Sequence, residues 1–92
     1  MTAKYIVYAN EGSLHVEIFN SIINHFDRAR VLGILGDVES AGEFRIDAAP
    51  IDGMNVPVAC TFGKSVTLGK TSRPGDARLI NQLLRIGQYY GV

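Results

Sequence analysis

The 92 residues of this chain are enough for one domain, and we predict a single domain over residues 1–92. Nine basic and nine acidic side chains cancel, so nucleic acid and anionic membranes are not expected as partners. No apolar run reaches the roughly 18–20 residues that cross a bilayer, and the N-terminus lacks the apolar block of a signal peptide. Cys60 is the single cysteine, which suits a reducing compartment, so we expect a cytoplasmic protein.

The N-terminal part predicts a strand followed by a helix. Residues 4–9 (KYIVYA) alternate and are rich in β-formers, which is typical of a strand. Residues 10–13 (NEGS) are turn and N-cap types. Apolar side chains then recur at helical spacing, so the sequence predicts a helix over residues 14–28.

The middle of the chain predicts further strands. Residues 30–35 (RVLGIL) predict a second strand, and residues 43–48 (EFRIDA) predict its continuation or a third strand. The polar segment between them, GDVESAG, predicts a loop or a bulged bend. The pair Asp52-Gly53 indicates a hairpin that leads into a strand over residues 56–62. Pro57 favours an edge position for that strand, or the strand's first residue, because proline cannot donate to a central ladder.

A second helix is predicted over residues 74–86. Pro74 suits the first helical position, and Asp76 in the first turn complements the positive end of the helix dipole. Gly87 is the predicted C-cap. Residues 88–92 (QYYGV) are consistent with a short last strand or a frayed tail.

This order, β-α-β-β-α with an optional closing strand, predicts a small two-layer α+β sandwich in which one mixed sheet carries both helices. The apolar positions of the two helical stripes should form the core. The residues predicted to be buried are Phe19, Ile22, Phe26, Ile80, Leu83 and Leu84.

The glycine-rich loop from Gly63 to Arg73 contains both GKS and GKT, but it is not a P-loop. A P-loop has a glycine five residues before the Gly-Lys pair, and here those positions are Val58 and Lys64. A plain strand-to-helix connection is one interpretation of the loop. The alternative is an anion nest, because glycines and hydroxyl side chains provide flexible backbone N–H groups and polar oxygens.

The two histidines and the cysteine do not have the spacing of a metal site, so we predict no metal and no cofactor. His15 in the first turn of the predicted helix has two interpretations, a general base or a capping or core residue. His25 falls off the apolar stripe and is predicted to be a solvated surface residue.

Three segments resemble the Janus/Ocnus family, which includes small phosphohistidine phosphatases. Residues 4–7 (KYIV) look like the family's first-strand start, and residues 15–20 (HVEIFN) like its H-x-[DE]-I-[YF]-[DN] segment. Residues 63–69 (GKSVTLG) look like its G-x-S-x-x-x-G phosphate loop. The family's Gly-Gly-Gly-Arg-Ile run has no counterpart here. The resemblance implies a small α/β fold, a catalytic histidine at His15 and phosphate held by Ser65 and the loop backbone.

Two functions remain open at this point. The first is a metal-independent phosphatase that hydrolyses a phosphoramidate or related phosphoryl group on a small anion or a phosphorylated protein. Its catalytic base is His15, and its phosphate-binding residues are Lys4, Ser65, Val66 and Thr67, with Arg73 as a second candidate cation. The alternative is a non-catalytic binding or regulatory domain, with a homodimer through an exposed strand edge as an option. The position of His15 relative to residues 65–67 discriminates between them.

Overall fold

Two helices and a four-stranded antiparallel sheet make up the computed structural model, which describes residues 2–86. The strands of the sheet are β1 (Ala3–Asn10), β2 (Ser13–Phe19), β3 (Val38–Ile51) and β4 (Met54–Phe62). A small hairpin follows, formed by β5 (Lys64–Ser65) and β6 (Lys70–Thr71). The helices are α1 (His25–Leu32) and α2 (Asp76–Leu84), with a short 3₁₀ turn over Leu35–Asp37. The order of strands in the sheet is β2-β1-β3-β4, and every neighbouring pair is antiparallel.

The predicted helix over residues 14–28 is wrong, because a tight turn sends the chain back along β1. Glu11 and Gly12 have φ values of 51° and 79°, the geometry of a two-residue hairpin turn. Residues 13–19 therefore form β2, and the helix starts only at His25. The predicted strand over residues 30–35 is also wrong, since most of it belongs to α1 and the turn that follows.

The predicted hairpin in the middle of the chain is confirmed. Asp52 and Gly53 both have positive φ, and they connect β3 to β4 with Ile51 paired to Met54. The strand predicted over residues 56–62 lies inside β4, which is an edge strand, as Pro57 indicated.

The second helix is confirmed with shifted ends. It starts at Asp76 and is closed by Arg85, which adopts the left-handed conformation with φ 57°. The backbone N–H of Arg85 donates to the Gln82 carbonyl and that of Ile86 to the Asn81 carbonyl, as in other left-handed caps. The predicted C-cap Gly87 and the predicted strand or tail over residues 88–92 lie outside the described residues.

The helices lie on opposite faces of the sheet. Tyr5 and Ile6 are neighbours on β1, so their side chains point to opposite faces. Tyr5 belongs to a buried cluster with Ile80 of α2, whereas Ile6 belongs to one with Ala29 of α1. The sheet is antiparallel rather than mixed, and the predicted two-layer arrangement with the order β-α-β-β-α is not what this α+β fold shows.

The predicted core is correct at two positions and wrong at four. Phe19 and Ile80 are buried. The remaining four are exposed, because residues 20–24 form a turn rather than a helix, and because α1 buries His25 and Ala29 while α2 buries Asp76, Ile80 and Asn81 instead. These exposed residues are Ile22, Phe26, Leu83 and Leu84. Between residues 2 and 86, no helix has the length and apolar character needed to span a membrane.

Candidate functional site

His15 lies at the far end of the β1–β2 hairpin from Lys4. It is exposed, pairs with Tyr8 in the β1–β2 register and stacks on the Tyr8 ring, with the ring centroids 5.5 Å apart. Lys4 pairs with Phe19 at the opposite end of the same two strands. Four residues of extended strand separate Lys4 from Tyr8, about 13 Å. The structure therefore does not bring His15 to Lys4.

The loop predicted to hold phosphate instead meets Lys4 and the start of α1. These groups surround a surface cleft of about 240 Å³, which we call the Lys4 cleft. Its lining residues are Lys4, Asn24, His25, Glu43, Lys64, Val66 and Thr67. Of the predicted phosphate-binding residues, Lys4, Val66 and Thr67 are thus brought together, while Ser65 is buried and does not line the cleft.

The two hydroxyls of the loop are used by the fold. Ser65 Oγ accepts a hydrogen bond from the backbone N–H of Leu68 at 3.2 Å. Thr67 Oγ1 accepts one from the N–H of Phe26 at 3.2 Å, which satisfies a donor in the first turn of α1. The hydroxyls therefore shape the turn and cap the helix.

The charge of the Lys4 cleft comes from two lysines and one glutamate. Lys4 Nζ donates to the carbonyl of Ile23 at 2.9 Å. Because a carbonyl carries no net charge, this hydrogen bond does not neutralise the ammonium group. Lys64 is exposed, and Glu43 is half-buried. Two ammonium groups against one carboxylate leave the cleft with a net positive charge, which favours an anionic group.

His25 is buried beside this cleft, so its prediction as a solvated surface residue is wrong. Only 4% of its surface is exposed, and its ring meets the ring of Phe19 edge-on. His25 Nε2 lies 2.9 Å from the Gly42 carbonyl, and because a carbonyl only accepts, Nε2 carries the proton. Burial lowers the pKa of His25 below its usual value. The ring is therefore a neutral donor that anchors α1 to β3.

One sequence signal could have located His25. Asn24 Oδ1 accepts the N–H of Asp27 at 2.7 Å, and Asn24 Nδ2 donates to the Asp27 carboxylate. This reciprocal pairing resembles a capping box, in which an N-cap residue is followed three positions later by an acidic or amide side chain. The spacing Asn24-x-x-Asp27 thus marks His25 as the first residue of a helix.

Four exposed apolar side chains belong to the two segments that meet at the Lys4 cleft: Val66 lines the cleft, and Ile22, Ile23 and Phe26 flank its lining residues Asn24 and His25 in sequence. Ile22 and Val66 are 88% and 81% exposed, and Ile23 and Phe26 are exposed to about two fifths. The Phe26–Thr67 hydrogen bond joins these two segments, and the Lys4–Ile23 hydrogen bond ties the first of them to β1. We call Ile22, Ile23, Phe26 and Val66 the apolar rim. Several exposed apolar side chains close to a charged cleft are more typical of an interaction site than of a bare anion site.

A second polar cluster is buried under α2. Asp76 is 1% exposed, and its carboxylate accepts hydrogen bonds from Tyr5 Oη at 2.6 Å, Ser40 Oγ at 2.8 Å and the Arg73 N–H at 2.8 Å. The Arg73 side chain, predicted as a second cation for phosphate, lies 3.8 Å from this carboxylate. Asp76 therefore ties the start of α2 to the sheet, and the enclosed cluster leaves little room for a ligand.

Among residues 2–86, no group of three or more His, Cys, Asp or Glu side chains is placed to hold a metal ion. No family model, curated protein or solved structure matches this chain. The likeness to the Janus/Ocnus family stays a prediction from three short segments.

Proposed function

We propose that this chain is a non-catalytic binding module that takes an apolar group carrying a phosphoryl or similar anion. The anion enters the Lys4 cleft, and its apolar carrier packs on the apolar rim. The observation that carries the proposal is the convergence of Lys4, Lys64 and Val66 on one cleft. This combination fits a phosphorylated protein segment better than free phosphate, since a free anion gains nothing from exposed apolar surface.

The placement of the two histidines favours binding over hydrolysis. His15 lies at the distal end of the hairpin and cannot act on an anion held at Lys4. His25 is near that anion, but its Nε2 is occupied by Gly42 and its ring is almost fully buried. A general base has to reach the attacking water within about 2.6–3.2 Å. The cleft therefore offers charge and apolar contact without an obvious base.

Phosphoryl hydrolysis remains a second candidate, and one observation favours it. The lowered pKa of His25 keeps its imidazole neutral near pH 7, and with the proton on Nε2 the lone pair belongs to Nδ1. Neutral imidazole beside two lysines is a chemically reasonable base for phosphoryl transfer. In that case His25, rather than the predicted His15, performs the proton transfer.

A single probe separates the two candidates. p-Nitrophenyl phosphate carries an apolar ring and a phosphoryl group, and its hydrolysis is visible by colour. The binding module predicts saturable binding without turnover above buffer. We expect Lys64→Glu to weaken this binding about tenfold, because it reverses a charge beside the anion.

Lys70→Glu is the matched control, since Lys70 is exposed on the same small hairpin but does not line the cleft. Equal losses in Lys64→Glu and Lys70→Glu would reduce the effect to net charge and contradict the proposed site. Turnover that persists in His15→Ala and disappears in His25→Gln would establish the second candidate instead.

A further inference from the structure

Among residues 2–86, strand β2 is the open edge of the sheet. The order β2-β1-β3-β4 gives β2 one neighbour within these residues, β1, so one side of its backbone faces outward. The other edge, β4, is blocked by Pro57 and by Asn81 of α2, whose Oδ1 accepts the N–H of Ala59 at 2.7 Å. Within the part of the chain that the structure describes, the sheet thus has one covered edge and one available edge.

The hairpin turns determine which residues of β2 face outward. In a two-residue hairpin the residues that flank the turn form a hydrogen-bonded pair, and such pairs recur at every second position. In the β3–β4 hairpin this alternation directs the backbone N–H of Ala59 outward, as its hydrogen bond to Asn81 confirms. In the β1–β2 hairpin Asn10 pairs with Ser13, so Leu14, Val16 and Ile18 direct their backbone N–H and C=O groups outward.

The side chains of these three β2 residues form an apolar row on one face of the sheet. Leu14 is 47% exposed, and Val16 and Ile18 are half-buried. Leu14 and Val16 line a groove of about 330 Å³ together with Leu83 of α2, which is 53% exposed. An added strand would cover this apolar surface and pair the open backbone groups at the same time.

We propose that a second copy of this chain occupies this edge, with the two β2 strands antiparallel and centred on Val16. This register places Val16 opposite Val16, and Leu14 opposite Ile18 of the second copy. On the other face it places His15 opposite Glu17 of the second copy. The result is one continuous eight-stranded sheet with a two-fold axis.

The self-complementarity of β2 is the reason to choose a second copy as the occupant. Apolar positions meet apolar positions, and the imidazole of each copy meets a carboxylate of the other, so no like charges face each other. Glu17 also pairs with Arg28 of its own chain, which holds its carboxylate in place beside the edge. The dimer goes beyond the proposed binding function: the Lys4 clefts of both copies then open on the same face of the sheet.

Sedimentation velocity on the full chain over a wide concentration range tests this proposal. We expect a monomer–dimer equilibrium that Val16→Pro shifts to monomer. Proline removes the outward N–H of Val16, which the β1–β2 ladder does not use. Met54→Gln is the control, because Met54 is 60% exposed on β4, at the opposite edge of the sheet, and the substitution should leave the dimer unchanged.

A second pair of variants avoids dependence on a folded proline variant. His15→Glu places like charges opposite Glu17 of the second copy, and His15→Lys places a full positive charge there. We expect dimer affinity to fall in the first and rise in the second, by about two- to thirtyfold between them.

Three results would overturn the dimer. One is a chain that stays monomeric at millimolar concentration, and another is a dimer that responds to neither Val16 nor His15 substitutions. The third is a monomer whose Val16 amide is strongly protected from hydrogen exchange, which would place another segment of the chain, or a bound peptide, on this edge.

Discussion

Tyr5 Oη donates a 2.6 Å hydrogen bond to the Asp76 carboxylate, joining the central strand β1 to the first turn of α2 across 71 positions of sequence. Both side chains are almost fully buried. Ser40 Oγ and the Arg73 N–H complete the donors around the carboxylate. A buried carboxylate that loses one of its donors is costly, so this cluster should be a sensitive point of the fold.

We expect Tyr5→Phe to lower the free energy of unfolding by about 1–3 kcal/mol, because the Asp76 carboxylate stays buried with one donor fewer. Urea denaturation measures the change. Tyr8→Phe is the matched control on the same strand, since Tyr8 packs at the edge of the other buried cluster, away from Asp76. An equal loss in both variants would mean that the Asp76 bond is not the cause.

The same tyrosine should make the protein sensitive to alkali. Burial and the neighbouring Asp76 raise the pKa of Tyr5, so the folded state holds the phenol proton that the unfolded chain releases near pH 10. The stabilising contribution is complete below pH 10 and is lost as the pH rises above it. Thermal melts at pH 9 to 11 should show this loss, and Tyr5→Phe should reduce it.

His25 should make the folded protein less stable in acid. Burial lowers the pKa of His25, so below about pH 6.5 the unfolded chain binds a proton that the folded protein resists. Stability is therefore complete above pH 6.5 and falls as the pH decreases. His25→Gln, which keeps a side-chain donor for the Gly42 carbonyl, should reduce this loss of stability in acid. Tyr5→Phe should leave the loss unchanged. An undiminished loss in His25→Gln would mean that His25 is not its cause.

Gly42 should tolerate no side chain. A Cβ at this position would lie 2.7 Å from the Phe62 carbonyl oxygen, a backbone atom of the paired strand that cannot move aside cheaply. We expect Gly42→Ala to destabilise by about 1–3 kcal/mol. Gly36→Ala is the control, because a Cβ there meets nothing within 4 Å. Similar unfolding midpoints for the two variants would contradict the close approach of β3 and β4.

The hairpin at Asp52-Gly53 was predictable because its signal is local: two residues that accept positive φ lie between two β-rich runs. The hairpin at Glu11-Gly12 was missed because Glu at positive φ is uncommon. The segment that follows, LHVEIF, fits both periodicities, since its apolar residues match a helical stripe and also alternate with His15 and Glu17. The turn decides between them, and one misjudged turn relocated a whole element.

The wrong prediction of a helix over residues 14–28 also limited how much of the candidate site could be predicted. The sequence predicted that Lys4, Val66 and Thr67 bind phosphate; the structure places these three residues on one cleft, and phosphate binding stays a prediction. The burial of His25 was not predicted, because it depends on α1 starting at that residue and on a hydrogen bond to the Gly42 carbonyl of a distant strand. The apolar rim was not predicted, because Ile22 and Phe26 were assigned to a helical core stripe that does not form.

The most direct test of the account is an NMR titration of the ¹⁵N-labelled chain with p-nitrophenyl phosphate, following the backbone amides and both histidine rings. The account predicts saturable shifts at Val66, Thr67 and the His25 ring, with the His15 ring unaffected, and saturation at about tenfold higher concentration in Lys64→Glu. Shifts centred on His15 and the β2 edge, with none at Val66 and Thr67, would contradict it.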